Sequence, residues 1–320
     1  MGNTTAFTTP SQALTDEQAA LAARGELFDG LGRRKIVTPE TVGTDKPKLV
    51  GYTRATSFIG ALEDKTALEK WKTRKILEGA ADANLEMSAM GALQNRLDAD
   101  PDDEDADKAY RAELDEIAER AFSYAGGHDS ADYGTALHRL VELYNDGTIT
   151  DAIIEETERQ WPGITADFHS YVDAWLKLVA ELGASIVLQE CLVVDDAKKV
   201  AGRGDMIARM KLDGDKRARR IFMDIKTGKI DNTGRLSQQL AIYAGGKLYD
   251  PETGKRSPLR VRQDVAIVVH VPRGEARTEF ILIDLAPGRR DNDLCMKVRA
   301  SRRKKKGITR TLAEVTRGDH

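Results

Sequence analysis

The chain has 320 residues, of which 41% are hydrophobic and 32% charged, and its formal net charge is −3 at pH 7. This composition excludes a collagen-like or wholly disordered chain and provides enough hydrophobic residues for a sizeable core. The hydrophobic runs are too short to cross a membrane, and residues 1–6 have neither the basic nor the apolar region of a secretory signal, so we expect a cytoplasmic protein.

The charged residues are unevenly distributed. Residues 98–120 contain 11 acidic and 3 basic side chains, whereas residues 296–320 contain 9 basic and 2 acidic ones. Such asymmetry is typical of a chain that has a polyanionic partner. The densest basic run therefore has two interpretations, a DNA contact or a solvated surface, and it consists of Arg302, Arg303, Lys304, Lys305 and Lys306.

The first part of the chain predicts an arm followed by helices. Residues 1–45 are polar and Thr-rich, and we interpret them as a flexible N-terminal arm. Residues 46–130 predict a helical elaboration with an acidic loop at 98–107. Within it, hydrophobic residues recur at helical spacing over 52–79, 85–97 and 108–121.

Residues 131–290 predict an α/β core, and residues 291–320 a basic C-terminal helix and tail. The hydrophobic period changes from helical to alternating after Gly183, which indicates that strands follow helices there. The predicted core elements are helices at 134–144 and 168–182, strands at 186–194, 200–210 and 221–226, a helix at 236–248, and strands at 265–271 and 278–283.

Charged residues interrupt the second and third predicted strands. Asp205 ends the sequence Gly202-Arg-Gly-Asp205, and Asp224 and Lys226 lie two apart, on one face of the third strand. If these strands pair, Asp205 lies next to Asp224. Two close carboxylates repel each other unless a cation lies between them, and oxygen ligands suit Mg²⁺ or Mn²⁺. Taken alone, Asp-x-Lys is more often a surface ion pair.

Two helical pairs flank these strands. Gln239 and Tyr243 share one face of the following helix, and His138 and Glu142 share one face of an upstream helix. Each has an alternative interpretation: His138 as an ordinary core or surface histidine, Glu142 as a solvated acid, Gln239 as a capping or bridging side chain, and Tyr243 as a core residue.

In order and spacing, these motifs resemble the PD-(D/E)xK nuclease superfamily, in particular its RecB-like and phage-exonuclease branch. The motifs are Gly-x-x-x-His138-x-x-x-Glu142, Gly-x-x-Asp205, Asp224-x-Lys226 and Gln239-x-x-x-Tyr243, and the likeness runs from residue 134 to about residue 284. The resemblance implies a restriction-endonuclease-like core, with a mixed central sheet flanked by helices, extended by the helical N-terminal elaboration.

The cysteine count separates two groups within this branch. The CRISPR-associated single-strand nucleases often hold an iron–sulfur cluster with four cysteines, whereas this chain has only Cys191 and Cys295. No iron–sulfur cluster is therefore expected. The resemblance then favours the cluster-free recombination exonucleases of the RecE and lambda-exonuclease kind. The other possibility is a CRISPR-type single-strand nuclease that lacks the iron–sulfur cysteines.

The resemblance also implies roles for individual residues. The implied metal ligands are His138, Asp205, Asp224 and the backbone carbonyl of Ile225. Lys226 would position or activate the attacking water and stabilise charge on the phosphate, and Gln239 and Tyr243 would orient that lysine or the DNA backbone. Glu142 would be a second-shell group or a ligand for a second metal, and Glu190 an outer-shell acid. The basic run from Arg302 to Lys306 keeps its two interpretations, a DNA contact or a solvated surface.

The function implied is a Mg²⁺- or Mn²⁺-dependent DNA exonuclease of phage recombination or repair, acting in the cytoplasm of a bacterial host. Its expected partner is DNA, with a single-strand annealing or recombination protein and further copies of the chain as candidate partners, and no membrane. Two alternatives remain: a structure-specific or restriction-type endonuclease, and a nuclease-fold module that only binds DNA or a protein. The intact Asp224-x-Lys226 favours catalysis over mere binding.

Overall fold

The computed structural model describes residues 28–82, 85–100 and 102–302. Its elements, in chain order, are β1 (Arg34–Val37), a 3₁₀ turn (Pro39–Thr41), β2 (Leu49–Arg54), α1 (Ala55–Ile59), α2 (Thr66–Asp82), α3 (Glu86–Asp98), α4 (Glu104–Tyr124), α5 (Asp129–Asn145), α6 (Asp151–Gln160), α7 (Ile164–Leu182), β3 (Ser185–Asp195), β4 (Val200–Met210), β5 (Arg219–Lys226), α8 (Thr233–Gly245), β6 (Lys247–Tyr249), β7 (Arg256–Pro258), β8 (Val265–His270), β9 (Glu279–Asp284) and α9 (Leu285–Ser301).

The strands form one mixed sheet in the order β7-β6-β3-β4-β5-β8-β9. β3, β4 and β5 are antiparallel neighbours, while β5 and β8 are parallel. β1 and β2 form an antiparallel pair that joins β4 through a short parallel contact. The prediction of an α/β fold with a mixed central sheet is confirmed.

Helices cover both faces of this sheet, because the side chains of each strand alternate between them. On β5, Ile221, Met223 and Ile225 face a cluster built with α5 and α7. Phe222 faces the opposite cluster, which is built with α1, α8 and α9. In α7, Phe168, Tyr171 and Trp175 recur at helical spacing and supply its buried stripe.

β4 and β5 separate towards one end of the sheet. Their pairing runs from Met210 opposite Arg219 to Met206 opposite Met223. Further along the same edge of β4, β2 pairs with Val200 and Ala201 instead. No described strand pairs with that edge between Ala201 and Met206. This gap is the place where side chains from both faces of the sheet can meet.

Residues 28–45 differ from the expected arm, whereas residues 1–27 of that segment lie outside the described residues. β1 lies within the segment predicted as flexible, and its Ile36 is fully buried against Tyr52 and Val194. The strand was not predicted because four residues are too few to show an alternating pattern. The acidic run is also partly helical: Asp103 caps α4 by accepting hydrogen bonds from the amides of Asp105 and Ala106.

Two helix boundaries in the core differ from those predicted. α8 ends at Gly245, not at Leu248, because extended Gly246 packs so closely on Val193 that a Cβ would lie 2.4 Å from its Cγ1. α9 begins at Leu285, six residues before the predicted start, because Asp284 caps it through the Ala286 amide at 2.8 Å.

The described part of the chain contains no helix that is long and apolar enough to cross a membrane. This finding agrees with the short hydrophobic runs of the sequence.

Asp167 is a buried anchor between α7 and the β8–β9 connection. It is fully buried, accepts the hydroxyl of Tyr133, and accepts the amides of Gly274 and Ala276 at 2.6 and 2.9 Å. We expect Asp167→Ala to lower the free energy of unfolding by about 3 kcal/mol, because buried donors lose a charged acceptor. Urea unfolding measures this, with the exposed Asp173→Ala on the same helix as control. Equal stability of the two variants would contradict the anchoring role.

Candidate metal centre and active-site cleft

A cleft of about 550 Å³ opens between α5 and the sheet, where β4 and β5 separate. Its polar lining comes from α5, β3, β4 and the end of β5, and includes His138, Glu142, Glu190, Arg203, Asp205 and Lys226. The structure thus brings the upstream helix and the charged strands of the sequence analysis to one place.

Three potential ligand groups converge in this cleft. One ligand atom each from His138, Glu190 and Asp205 lies within 4.8 Å of the others. Glu190 occupies the position opposite Asp205, since its neighbours Gln189 and Cys191 pair with Met206 and Gly204. Its φ of 46° lies in the left-handed region, a strained conformation for a non-glycine residue that is found preferentially at functional sites.

Asp205 and His138 both bind the backbone of Ile225. The amide of Ile225 donates to Asp205 Oδ2 at 2.6 Å, and His138 Nε2 lies 3.2 Å from the Ile225 carbonyl oxygen. His138 Nδ1 lies 3.6 Å from Asp205 Oδ1. The imidazole, one carboxylate and the carbonyl oxygen proposed as ligands are therefore direct neighbours.

Asp224 lies on the other side of Asp205. Continuing the register from Met206 and Met223 by one residue places Asp224 opposite Asp205. Its carboxylate is 2% exposed and forms an ion pair with Lys226. From α8, Gln239 Nε2 donates to Asp224 Oδ1 and to the Tyr243 hydroxyl, both at 3.4 Å. The four residues form one connected group beside the ligand cluster.

Burial and mutual repulsion disfavour the ionised forms of two carboxyls at this site. Burial raises the pKa of Asp224 to about 6, and the neighbouring Asp205 contributes to this rise. Burial, followed by repulsion from Asp205, raises the pKa of Glu190 to about 7. Both shifts arise because a charged carboxylate is poorly solvated here and has another carboxylate beside it.

The two neighbouring carboxylates raise the pKa of Lys226. Burial acts to lower the pKa of this ammonium, but the carboxylates of Asp224 and Asp205 act more strongly, so its pKa is raised. In the metal-free protein Lys226 is therefore the counter-ion of the acidic group and not a neutral base.

The donor set fits a divalent cation such as Mg²⁺ or Mn²⁺. Carboxylate and carbonyl oxygens are the preferred ligands of these ions, and imidazole is compatible with Mn²⁺. Asp205, Glu190, His138 and the Ile225 carbonyl would hold the ion, with Asp224 adjacent. A cation bound here would favour the ionised forms of Glu190 and Asp224, which burial and the neighbouring Asp205 disfavour.

The same pKa values predict how stability depends on pH. In the unfolded chain both carboxyls lose their protons near about pH 4, whereas in the folded, metal-free protein Asp224 retains its proton up to about pH 6 and Glu190 up to about pH 7. The contribution of these two groups to the free energy of unfolding should therefore fall as pH rises through this range. In EDTA, Glu190→Gln should show a smaller fall than the wild type. Unfolding curves at several pH values measure the difference, and parallel profiles would contradict the assignment.

The remaining predicted site residues lie outside the cluster formed by His138, Glu190 and Asp205. Glu142 lines the cleft but pairs with Arg139 at 2.6 Å and lies outside the ligand cluster. Arg302 donates to the carbonyl of Ala61 at 3.3 Å. Residues 303–306 of the basic run lie outside the described residues.

Sequence reasoning did not single out Arg203. It lies in the cleft with its Nη1 3.6 Å from Glu190 Oε2. The sequence does place Arg203 two residues before Asp205 on β4, and residues two apart on a strand point to the same face of a sheet, so this spacing could have identified it.

No family model and no curated protein matches this chain. One similar solved structure is a crystal structure of SSO0001, which shares 15% sequence identity with this chain. The match covers 52% of this chain and 72% of the other, with a TM-score of 0.24. The functional assignment therefore depends on the residues of the chain itself.

Proposed function

We propose that the chain is a metal-dependent DNA exonuclease with a PD-(D/E)xK core. The supporting observation is the convergence of His138, Glu190 and Asp205 with the buried Asp224–Lys226 pair, in an open cleft. These residues come from one helix and three strands; Asp224 is buried and the others are partly buried, and clusters of such ionisable groups in a cleft are characteristic of sites that bind an ion or perform chemistry.

A divalent cation held by these groups would polarise the scissile phosphate and activate water. Lys226 provides a positive charge from the protein itself, in addition to that of the bound cation, at the cleft. Its side chain is 32% exposed, so the ammonium is anchored by Asp224 and still reaches the cleft. From there it attracts the phosphate and stabilises the negative charge that grows during hydrolysis.

Gln239 and Tyr243 stabilise the Asp224 carboxylate from α8, outside the cleft. Both are buried on α8, and the Gln239 amide connects the Asp224 carboxylate with the Tyr243 hydroxyl. By holding Asp224 they fix the carboxylate that positions Lys226. Their role is to orient the acidic group, because neither residue lines the cleft itself.

One feature favours action at DNA ends: the helix with Gln239-x-x-x-Tyr243 resembles the end-processing branch more than most restriction enzymes.

We therefore expect linear DNA to be degraded progressively with Mg²⁺ while covalently closed circular duplex survives. Both substrates are incubated in one tube and followed on a gel, with a Ca²⁺ reaction in which binding is expected with little cleavage. Cutting of the circle at the rate of the linear form would favour the endonuclease alternative. Binding of either DNA without hydrolysis would favour the non-catalytic module.

A further inference from the structure

A second pocket, of about 250 Å³, lies beside the cleft at the gap between β2 and β5. Three arginines line it: Arg34 from β1, Arg54 from the end of β2, and Arg203 from β4. Phe28 and Tyr243 form part of its wall, and no acidic residue lines it among the described residues.

The two arginines from the N-terminal strands are ordered by one aromatic ring. The guanidinium carbons of Arg34 and Arg54 lie 5.9 and 6.0 Å from the centroid of Phe28. Among the described residues, neither guanidinium forms an ion pair with a carboxylate, whereas many other arginines of the protein do. Their hydrogen-bond donors are therefore available to a ligand.

Arg34 and Arg203 repel each other at this pocket, although Arg203 also lies 3.6 Å from the Glu190 carboxylate. Arg34 is half-buried, and its pKa is lowered, first by burial and then by repulsion from Arg203. Planar guanidinium groups bind phosphate oxygens in pairs, and an anion between them would relieve this repulsion.

The pocket adjoins the cleft that contains the candidate metal centre. Arg203 lines both, and it lies two residues before Asp205, about 7 Å along β4. Tyr243 lines the pocket and receives the Gln239 amide that also binds Asp224. A strand with one phosphate at the acidic group can thus place another phosphate among the arginines.

We propose that Arg34, Arg54 and Arg203 form a subsite for a phosphate of a nucleic-acid strand, an inference that rests on the nuclease function proposed above. The subsite adds positive charge on the side of the cleft opposite the end of β5, where Lys226 lies. Its role is to hold the strand in register with the metal centre.

The test measures binding in EDTA, where hydrolysis plays no part. Three labelled oligothymidylates are used, one with a 5′-phosphate, one with a 3′-phosphate and one with neither. The proteins are the wild type, R54Q, R34Q/R54Q and R209Q. Arg54 and Arg209 are both exposed, and Arg209 lies on β4 roughly 20 Å beyond Arg203, so R209Q is the matched control.

R34Q/R54Q should bind on the order of 10-fold more weakly than the wild type, and R209Q should bind as the wild type does. The slope of log affinity against log salt should fall by about 0.7 for each phosphate that the variant no longer neutralises. An equal reduction in affinity for all three oligonucleotides identifies an internal phosphodiester as the ligand. A reduction confined to one phosphorylated oligonucleotide identifies a terminal phosphate.

A second measurement separates this subsite from the nuclease function. Inorganic phosphate should raise the thermal unfolding midpoint of the wild type and of R209Q more than that of R54Q. R54Q changes an exposed side chain, so it keeps the test valid if R34Q/R54Q does not fold. Phosphate stabilisation without any DNA hydrolysis would retain the subsite and remove the proposed function. Wild-type affinity of R34Q/R54Q for the oligonucleotides, or equal stabilisation of R54Q, would overturn the subsite.

Discussion

Replacing Lys226 with alanine should slow Mg²⁺-dependent hydrolysis of linear DNA by on the order of 100-fold or more. The ammonium is the charge that the chain places between Asp224 and the cleft, and its effect is greatest where the phosphate gains negative charge. Lys226→Ala also leaves Asp224 buried without its counter-ion, so its fold is checked by circular dichroism and by its unfolding midpoint.

Lys229→Ala is the matched control for this variant. Lys229 follows three residues later, is exposed, and does not line the cleft. Initial rates on end-labelled DNA compare the two variants with the wild type. Normal cleavage by folded Lys226→Ala would show that the Asp-x-Lys strand is only structural.

Asp205→Asn should reduce both metal affinity and hydrolysis, the latter by on the order of 100-fold. The substitution removes a ligand charge from the centre of the cluster with His138 and Glu190. Asparagine retains an oxygen that can accept the Ile225 amide, so the local backbone contact is preserved. Titration with Mn²⁺, followed by its paramagnetic signal, measures affinity independently of activity.

The comparison for Asp205→Asn is Glu142→Gln. Glu142 also lines the cleft, but it is paired with Arg139 and lies outside the ligand cluster, so a milder effect is expected. Equal Mn²⁺ affinity of Asp205→Asn and the wild type would place the ion elsewhere or exclude it. A larger reduction with Glu142→Gln would move the ligand assignment towards α5.

The strand-borne part of the candidate site was predictable because local patterns determine it. Alternation along β5 placed Asp224 and Lys226 on one face, and the pairing of β4 with β5 brings Asp205 opposite Asp224. Helical spacing likewise placed Gln239 and Tyr243 on one side of α8. Each of these relations depends on residues close in sequence or on neighbouring strands.

Which acidic residues of the neighbouring strands form the ligand cluster was not predictable. The implied ligand set contained Asp224, whereas the compact cluster contains Glu190, which the sequence indicated only as an outer group. The difference arises from the left-handed backbone at Glu190 and the separation of β4 from β5. Neither feature can be recognised from the hydrophobic periodicity of the sequence.

The arginine pocket was not predictable either, because it depends on contacts between segments that are distant in sequence. Arg34 lies in a segment whose composition predicted an arm, and only its pairing with β2 gives it a fixed position. The contact of β2 with β4 then brings Arg54 beside Arg203, across about 150 residues of chain. Such a contact is selected by the whole sheet and not by the residues next to it.

The most direct test of the nuclease assignment is one time course with end-labelled linear DNA, as single and double strands. Wild type and Asp224→Asn are compared with Mg²⁺, with Mn²⁺ and with EDTA. We expect the wild type to release short labelled products with either metal and none in EDTA, and Asp224→Asn to release little. Undiminished hydrolysis in EDTA, or equal rates for wild type and Asp224→Asn, would contradict the assignment.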